Sequence, residues 1–327
     1  MIPSKYGVLL VGLLLFQGCN FSPNVYKVYA NADIKTTKRN QIKLLNEKLV
    51  RGLHSNDTTA IKKILSPGLD QNMAERLDSI LLALRPFALS NDYRLVNEFD
   101  ILNSTEFGNN SIQVGEFNLS FVSLNKETYV TLLDISNSVY DILITAIYGN
   151  YNGKWKLNIL QFGKFKLYGN TALHYYEASR KNYEKNYLMD ALFDSDIARE
   201  LSNPANNYSR HLSKAEIENL RDKIISDIDH QYKFPLSFTG IKSQPSVFRV
   251  NNNIWDGGRF PLFQYLTKID IKDTVALKIE NQKLEKEIEN TFSGLRNNNK
   301  YIYTVAFNVV PDGIHKTYYY TFRNSTN

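Results

Sequence analysis

The stretch Tyr140–Phe162, YDILITAIYGNYNGKWKLNILQF, decides the fold class. Successive side chains of a strand point to opposite faces, so Tyr140, Ile142, Ile144, Ala146 and Tyr148 share one side. Leu143 and Ile147 share the other with Asp141 and Thr145, which makes both faces partly apolar. Asn152-Gly153 follows, and both residues tolerate the positive φ that a two-residue hairpin turn demands. Trp155, Leu157 and Ile159 then return with the same period, so the reading is a pair of long antiparallel strands. Gly163 reads as a bulge, beyond which Phe165 and Leu167 alternate with Lys164, Lys166 and Tyr168.

Upstream, Tyr129 to Ile135 predicts another strand, and Ile112, Val114, Phe117, Leu119 and Phe121 predict a strand kinked near Gly115. Before them the period changes. Ile42, Leu45, Leu49 and Leu53 recur at helical spacing up to about His54. Asn56 or Asp57 can cap a second short helix carrying Ile61, Ile64 and Leu65, and Ser66-Pro67-Gly68 stops it. A third helix is expected from Met73 to Leu84, ahead of Pro86. This order of elements over residues 40–168, with HSNDTTAIKKILSPGL (His54–Leu69) as its motif, resembles the NTF2-like (cystatin-related) α+β cone fold. The resemblance implies a bent sheet wrapped around the first helix with a pocket at the open end. It implies no single activity.

Residues 169–211 are similar to one tetratricopeptide (TPR) repeat, through Tyr175, Ala178, Ser179 and Tyr183 on one helix and Ala191 and Ala198 on the next. Asn186 stands where that family's turn glycine usually does, Ser195 replaces a bulky residue, and Pro204 closes the segment one place late. A generic helical hairpin bridging two domains is the alternative. Residues 212–327 read as a second α+β domain. Ser213 and Glu216 form a capping box before a helix bearing Ile217, Leu220, Ile224 and Ile228. Strands follow around the turn-rich NNNIWDGGRFP (Asn251–Pro261). Asp273 or Thr274 caps a long charged helix, and Tyr301, Tyr303, Val305, Phe307 and Val309 alternate as a strand, with Tyr318, Tyr320 and Phe322 returning.

The amino terminus carries an address. Lys5 precedes an apolar run from Tyr6 to Phe16, the order of a secretory signal. About 11 helical residues reach roughly 16 Å against a hydrocarbon core of about 30 Å, too short to span. The chain's single cysteine follows at once, and Phe16-Gln17-Gly18-Cys19 resembles the lipobox of bacterial lipoproteins. That resemblance implies a signal peptide over residues 1–18, a lipidated Cys19, a tether over residues 19–39, and a place in the cell envelope at the outer membrane or periplasmic face. The alternative is a plain signal peptide cut elsewhere. No other cysteine is present to pair with Cys19.

Composition narrows the function. A net charge of +6, without any block of five like charges, is a weak footprint for nucleic acid, and the expected address opposes that role. No phosphate loop, nucleophile elbow, H-E-x-x-H or paired cysteines occur, and the five histidines are scattered, so neither metal nor cofactor is expected. Asp134, Tyr140 and Asp141 fall on central strands of the NTF2-like domain. There a buried acid beside a tyrosine could serve general acid–base chemistry, as the resemblance to isomerase-type relatives implies; the other reading places both aspartates at strand ends facing water. Asp190, Asp194 and Asp196 read either as a cation site or as an acidic solvent face. Among 21 tyrosines, several alternate along strands and read as sheet-stabilising ladders. Trp255 and Asp256 are candidates for an exposed loop tip that binds glycan or protein. The expectation is therefore a membrane partner through lipid on Cys19 and an envelope protein or small ligand bound without catalysis. The alternative is an envelope enzyme using the acid/tyrosine pair.

Overall fold

A computed structural model describes residues 25–67, 77, 79–82, 84, 90–137, 139–255 and 258–325. Cys19 and Asp256 lie outside the described residues, as does half of the helix expected over Met73–Leu84, whose described residues are helical. The fold is α+β, built from three sheets.

The largest sheet of the amino-terminal half runs β1(Tyr26–Ala30), β2(Arg94–Asn103), β5(Glu127–Ile135), β6(Tyr140–Tyr151), β7(Lys154–Leu167), all antiparallel. Asn152 and Gly153 close β6 onto β7 with φ of 52° and 86°, the turn their side chains predict. One face of this sheet carries helices α1(Thr36–Ser55) and α2(Thr58–Lys62). Ile42, Leu49 and Leu53 of α1 pack there on Leu133, Ile144 and Trp155. Asn56 takes the left-handed conformation that ends α1, and the Asp57 side chain accepts from the Ala60 amide to begin α2. Leu77, Leu81 and Leu84 join the same core.

The other face is covered by a small sheet of β3(Gly108–Val114), β4(Phe117–Ser123) and β8(Ser209–His211). Phe117, Leu119 and Phe121 meet Val130, Leu132, Leu143 and Ile147 across it. The partly apolar second face of β6 is explained by this layer. The strand expected to kink at Gly115 is instead a hairpin, with Gly115 at φ 54° in its turn. Gly163 is not the bulge either. It pairs regularly with Leu143, and the register slips two residues later, between Asp141 and Ile142 on β6. A Cβ on Gly163 would lie 2.7 Å from the Pro204 carbonyl oxygen, so the glycine permits close backbone approach.

Within the segment read as a tether, Tyr26–Ala30 is an edge strand paired with β2. Helices α3(Ala172–Glu184) and α4(Leu188–Leu201) form the expected hairpin, with Ser179 Oγ donating to the Ala191 carbonyl at 2.8 Å. Asn186 adopts φ 58° in its turn. The chain then returns to the first half, because β8 follows α4 and pairs with β4.

The carboxyl-terminal sheet has the order β13(Tyr319–Ser325), β12(Tyr301–Phe307), β11(Gly258–Leu266), β10(Ser246–Trp255), β9(Leu236–Ser237). Asn251 to Pro261, read as a turn-rich segment, is mostly strand in β10 and β11. Helices α5(Lys214–Gln231) and α6(Thr274–Thr291), and the short α7(Leu295–Asn298), complete the unit. Ile224, Ile228, Leu277, Leu284 and Ile288 pack on Val247, Phe263 and Ile302. Asp273 caps α6 through the Ala276 amide. Ser213 makes no side-chain cap on α5; its amide instead donates to His211 Nδ1 at 3.0 Å.

Candidate functional site

The proposed acid/tyrosine constellation does not assemble. Asp134 alternates with Leu133 and Ile135, and Asp141 with Tyr140 and Ile142, so both aspartates lie on the face covered by the small sheet. Tyr140 lies on the helix-covered face, and its hydroxyl donates to Glu200 at 3.3 Å. Burial and the Glu200 charge both push its pKa up. The aspartates are not in water: Asp134 is 2% and Asp141 8% exposed. Lys166 Nζ bridges them at 2.6 and 3.2 Å, and Arg94 adds a second contact to Asp134 at 2.6 Å. Both acids are thus paired, with Lys166 as their shared cation.

Asp190 and Asp194 form neither a cation site nor a solvent face. Both are buried on α4, and one cation, Arg259 of β11, pairs with each. Asn298 and Asn299 donate to Asp190 at 3.0 and 2.9 Å, and Asn182 donates to Asp194 at 2.8 Å. Burial outweighs Arg259 and holds the Asp194 carboxyl up at about 6. The cluster ties the helical hairpin to the carboxyl-terminal sheet. Asp196 lies apart and pairs with Arg221 at 2.5 Å. Among the described residues no three His, Cys, Asp or Glu side chains gather as a metal-holding group.

A cavity of about 660 Å³ opens between α1 and the start of β2. It is lined by Arg39, Lys43 and Arg51 against Glu47, Asp92 and Glu98, so its charges balance. Below it Glu98, 3% exposed, accepts from Arg39 Nε at 2.5 Å and from the Tyr129 hydroxyl at 2.7 Å. Burial and the Glu98 charge raise the Tyr129 pKa, which keeps that hydroxyl a donor. Asn46 Oδ1 accepts from Thr131 and Tyr148 at 3.0 and 2.8 Å. The floor is thus hydrogen-bonded, and no unpaired acid on it faces the cavity. Sequence reading missed this wall, because Glu98 and Asp100 alternating with Phe99 and Ile101 reads as a strand with its acids facing water, whereas both acids are buried.

Trp255 is placed on a different surface, the face of the carboxyl-terminal sheet opposite its helices. It is 42% exposed and stands edge-on to Tyr303, with ring centroids 4.6 Å apart. Phe260 packs against both, and Arg323 lies 4.9 Å over the Tyr301 ring beside them. The backbone under Trp255 is fixed from the amino-terminal half, because the Tyr168 hydroxyl lies 2.5 Å from the Trp255 carbonyl oxygen and 2.7 Å from that of Gly258. The tyrosines read as a ladder and the tryptophan read as a loop tip therefore form one aromatic cluster. It can stack on a planar or sugar-like surface, and Arg323 adds a positive charge at its edge.

No family model, no curated protein and no solved structure matches this chain.

Proposed function

We propose that this chain is a lipid-anchored cell-envelope protein whose globular part binds a protein or small ligand without transforming it. In this reading residues 40–168 are an NTF2-like unit, residues 169–211 a TPR-like hairpin, and the remainder a second α+β unit carrying the binding face. The observation that carries it is the exposed Trp255 held against Tyr303 and Phe260 on the sheet face opposite the helices, with its backbone clamped by Tyr168. Rigid, partly exposed aromatics present large contact area at low entropic cost, which is what a recognition surface needs. The balance of evidence against catalysis is the occupation of the buried acids: Glu98 by Arg39 and Tyr129, Asp134 by Lys166 and Arg94.

Mass analysis of protein purified from its membranes tests the anchor. The mature chain should begin at Cys19 with acyl groups attached, and Cys19→Ala should lose both the acylation and the membrane association. Pull-down from solubilised envelopes tests the binding face. A partner retained by the parent protein and lost with Trp255→Ala, at unchanged thermal stability, supports the assignment; equal retention by the variant removes it.

A further inference from the structure

The end of the amino-terminal sheet from which the chain leads back to Cys19 has an unusual surface. Val25, the first described residue, is 72% exposed, Phe107 is 73% exposed and Leu124 is 38% exposed. These three sit together. The Val25 amide donates to Ser104 Oγ at 3.0 Å, and the Ser104 amide donates to the Val25 carbonyl at 2.9 Å. Gly108 and Ser123 are the last register pair of the β3–β4 hairpin, so Phe107 and Leu124 stand next to each other just beyond its open end. The Asn103 amide donates to the Lys126 carbonyl at 2.7 Å, joining the two loops.

The loops that carry these side chains are built, not loose. Asn110 Nδ2 bonds the Gly108 carbonyl and Ser123 Oγ at 2.9 and 2.6 Å. Asn158 Nδ2 donates to Asn125 Oδ1 at 2.7 Å, and a Cβ on Gly149 would collide with that same oxygen at 1.8 Å. Buried amides thus hold up an apolar tip that stays exposed among the described residues. The charges around it are mostly positive: Lys27, Lys126 and Lys154 are exposed at this end, Glu127 is engaged by Lys38 and Asn150, and Glu106 is the exposed acid.

Chain length says what meets this surface. Six residues lead from Cys19 to Val25. They reach at most about 20 Å when fully extended. An acylated Cys19 therefore holds this end, and no distant one, against the bilayer.

We propose that the Val25–Phe107–Leu124 tip is a membrane-docking face: its apolar side chains enter the interfacial region of the anchoring bilayer while Lys27, Lys126 and Lys154 meet anionic headgroups. The proposal rests on the lipid-anchor reading and adds an orientation to it. Interfacial binding of this kind combines buried apolar area with attraction to anionic lipid. A chain merely tied by its lipid would tumble over the surface; a docked one presents the Trp255 face in a fixed attitude.

Brominated acyl chains quench tryptophan only at contact, which gives the test. Full-chain Phe107→Trp and Leu124→Trp are each mixed with vesicles of phosphatidylethanolamine and phosphatidylglycerol, with and without brominated chains. Emission is read as the difference from the parent protein. Ile314→Trp, at an 84% exposed apolar position in the carboxyl-terminal unit, is the control. Expected are a blue shift and loss of emission at 107 and 124 with brominated lipid, and neither at 314. Vesicle-bound, acylated protein with unquenched tryptophan at both 107 and 124 overturns the docking face and leaves the anchor standing. Equal quenching at 314 also overturns it. If mass analysis shows no acyl group, the anchor reading fails, and quenching at high vesicle concentration still decides the docking face by the same criteria.

Discussion

Replacing Arg259 by Met leaves two buried carboxylates without their shared cation. The Arg259 side chain is 16% exposed, and the side chains of Asp190 and Asp194 are 0% and 6% exposed. Removing one partner from a buried ion pair costs about 3–5 kcal/mol, because the charge left behind has neither water nor a counter-ion. Asparagine donors remain on both acids and hold the expected loss toward the lower end of that range, about 3 kcal/mol at neutral pH. At roughly 2 °C per kcal/mol for a chain of this length, the melting midpoint falls by about 6 °C. The pH dependence identifies the cause. In the parent protein the Asp194 pKa is raised to about 6, so its contribution to stability is fully present below its unfolded value of about 4 and is lost as pH rises through 6. Without Arg259 the Asp194 carboxyl ionises still less readily, and the deficit of the variant should shrink as pH falls from 7 to 5. Scanning calorimetry or urea denaturation at the two pH values reads this directly. A loss under about 1 kcal/mol at pH 7, or an equal loss at both values, refutes the reasoning.

Three further expectations follow from the same geometry. Gly163→Ala should cost about 1–3 kcal/mol, because its Cβ meets the Pro204 backbone at 2.7 Å; Gly115→Ala, with open space around it but φ 54°, should cost only about 1–2 kcal/mol. Denaturant midpoints rank the pair, and the reverse order would count against the close-approach argument. Tyr129→Phe keeps the ring and removes the hydroxyl donated to Glu98, with an expected loss of about 1.5–3 kcal/mol by the same measurement. Asp312 bonds the His315 ring and the amides of Ile314 and His315, and these donors lower its carboxyl to about 2. Any stabilisation of this loop is present above the ordinary carboxylate range and disappears as pH falls through 2; NMR titration should show the lowered value and its rise in His315→Ala.

Local signals in the sequence proved sufficient wherever the interaction that fixes the element is itself local. Asn152-Gly153 closes its hairpin with two positive φ angles, Asp57 caps α2 three residues ahead, and Asn186 takes the left-handed turn of the helical hairpin. The readings that changed depend on partners far along the chain. Asp134 and Asp141 were open to a reading as solvent-facing because strand ends usually are, yet Lys166, 32 and 25 residues away, covers both. Asp194 finds its cation 65 residues on, in Arg259. β1 went unread because an edge strand with exposed Lys27, Val28 and Tyr29 has little burial pattern of its own; only its register with Phe99–Asn103 makes it a strand. The same holds for the candidate surfaces. Trp255 stood out by its turn-rich setting, but that Tyr301 and Tyr303 stand beside it follows from the parallel pairing of β11 with β12, which no short window contains.

The three residues of β8 also set a limit on how this gene can be rearranged. Residues that lie beyond the helical hairpin in sequence complete a sheet begun far upstream at Gly108, with Phe117, Asn118 and Leu119 facing His211, Arg210 and Ser209. A recombination event that swapped the hairpin as a cassette would strip β4 of its neighbour and leave a raw edge ready to pair with another molecule. Fragment designs that cut between the amino-terminal unit and β8 inherit the same liability.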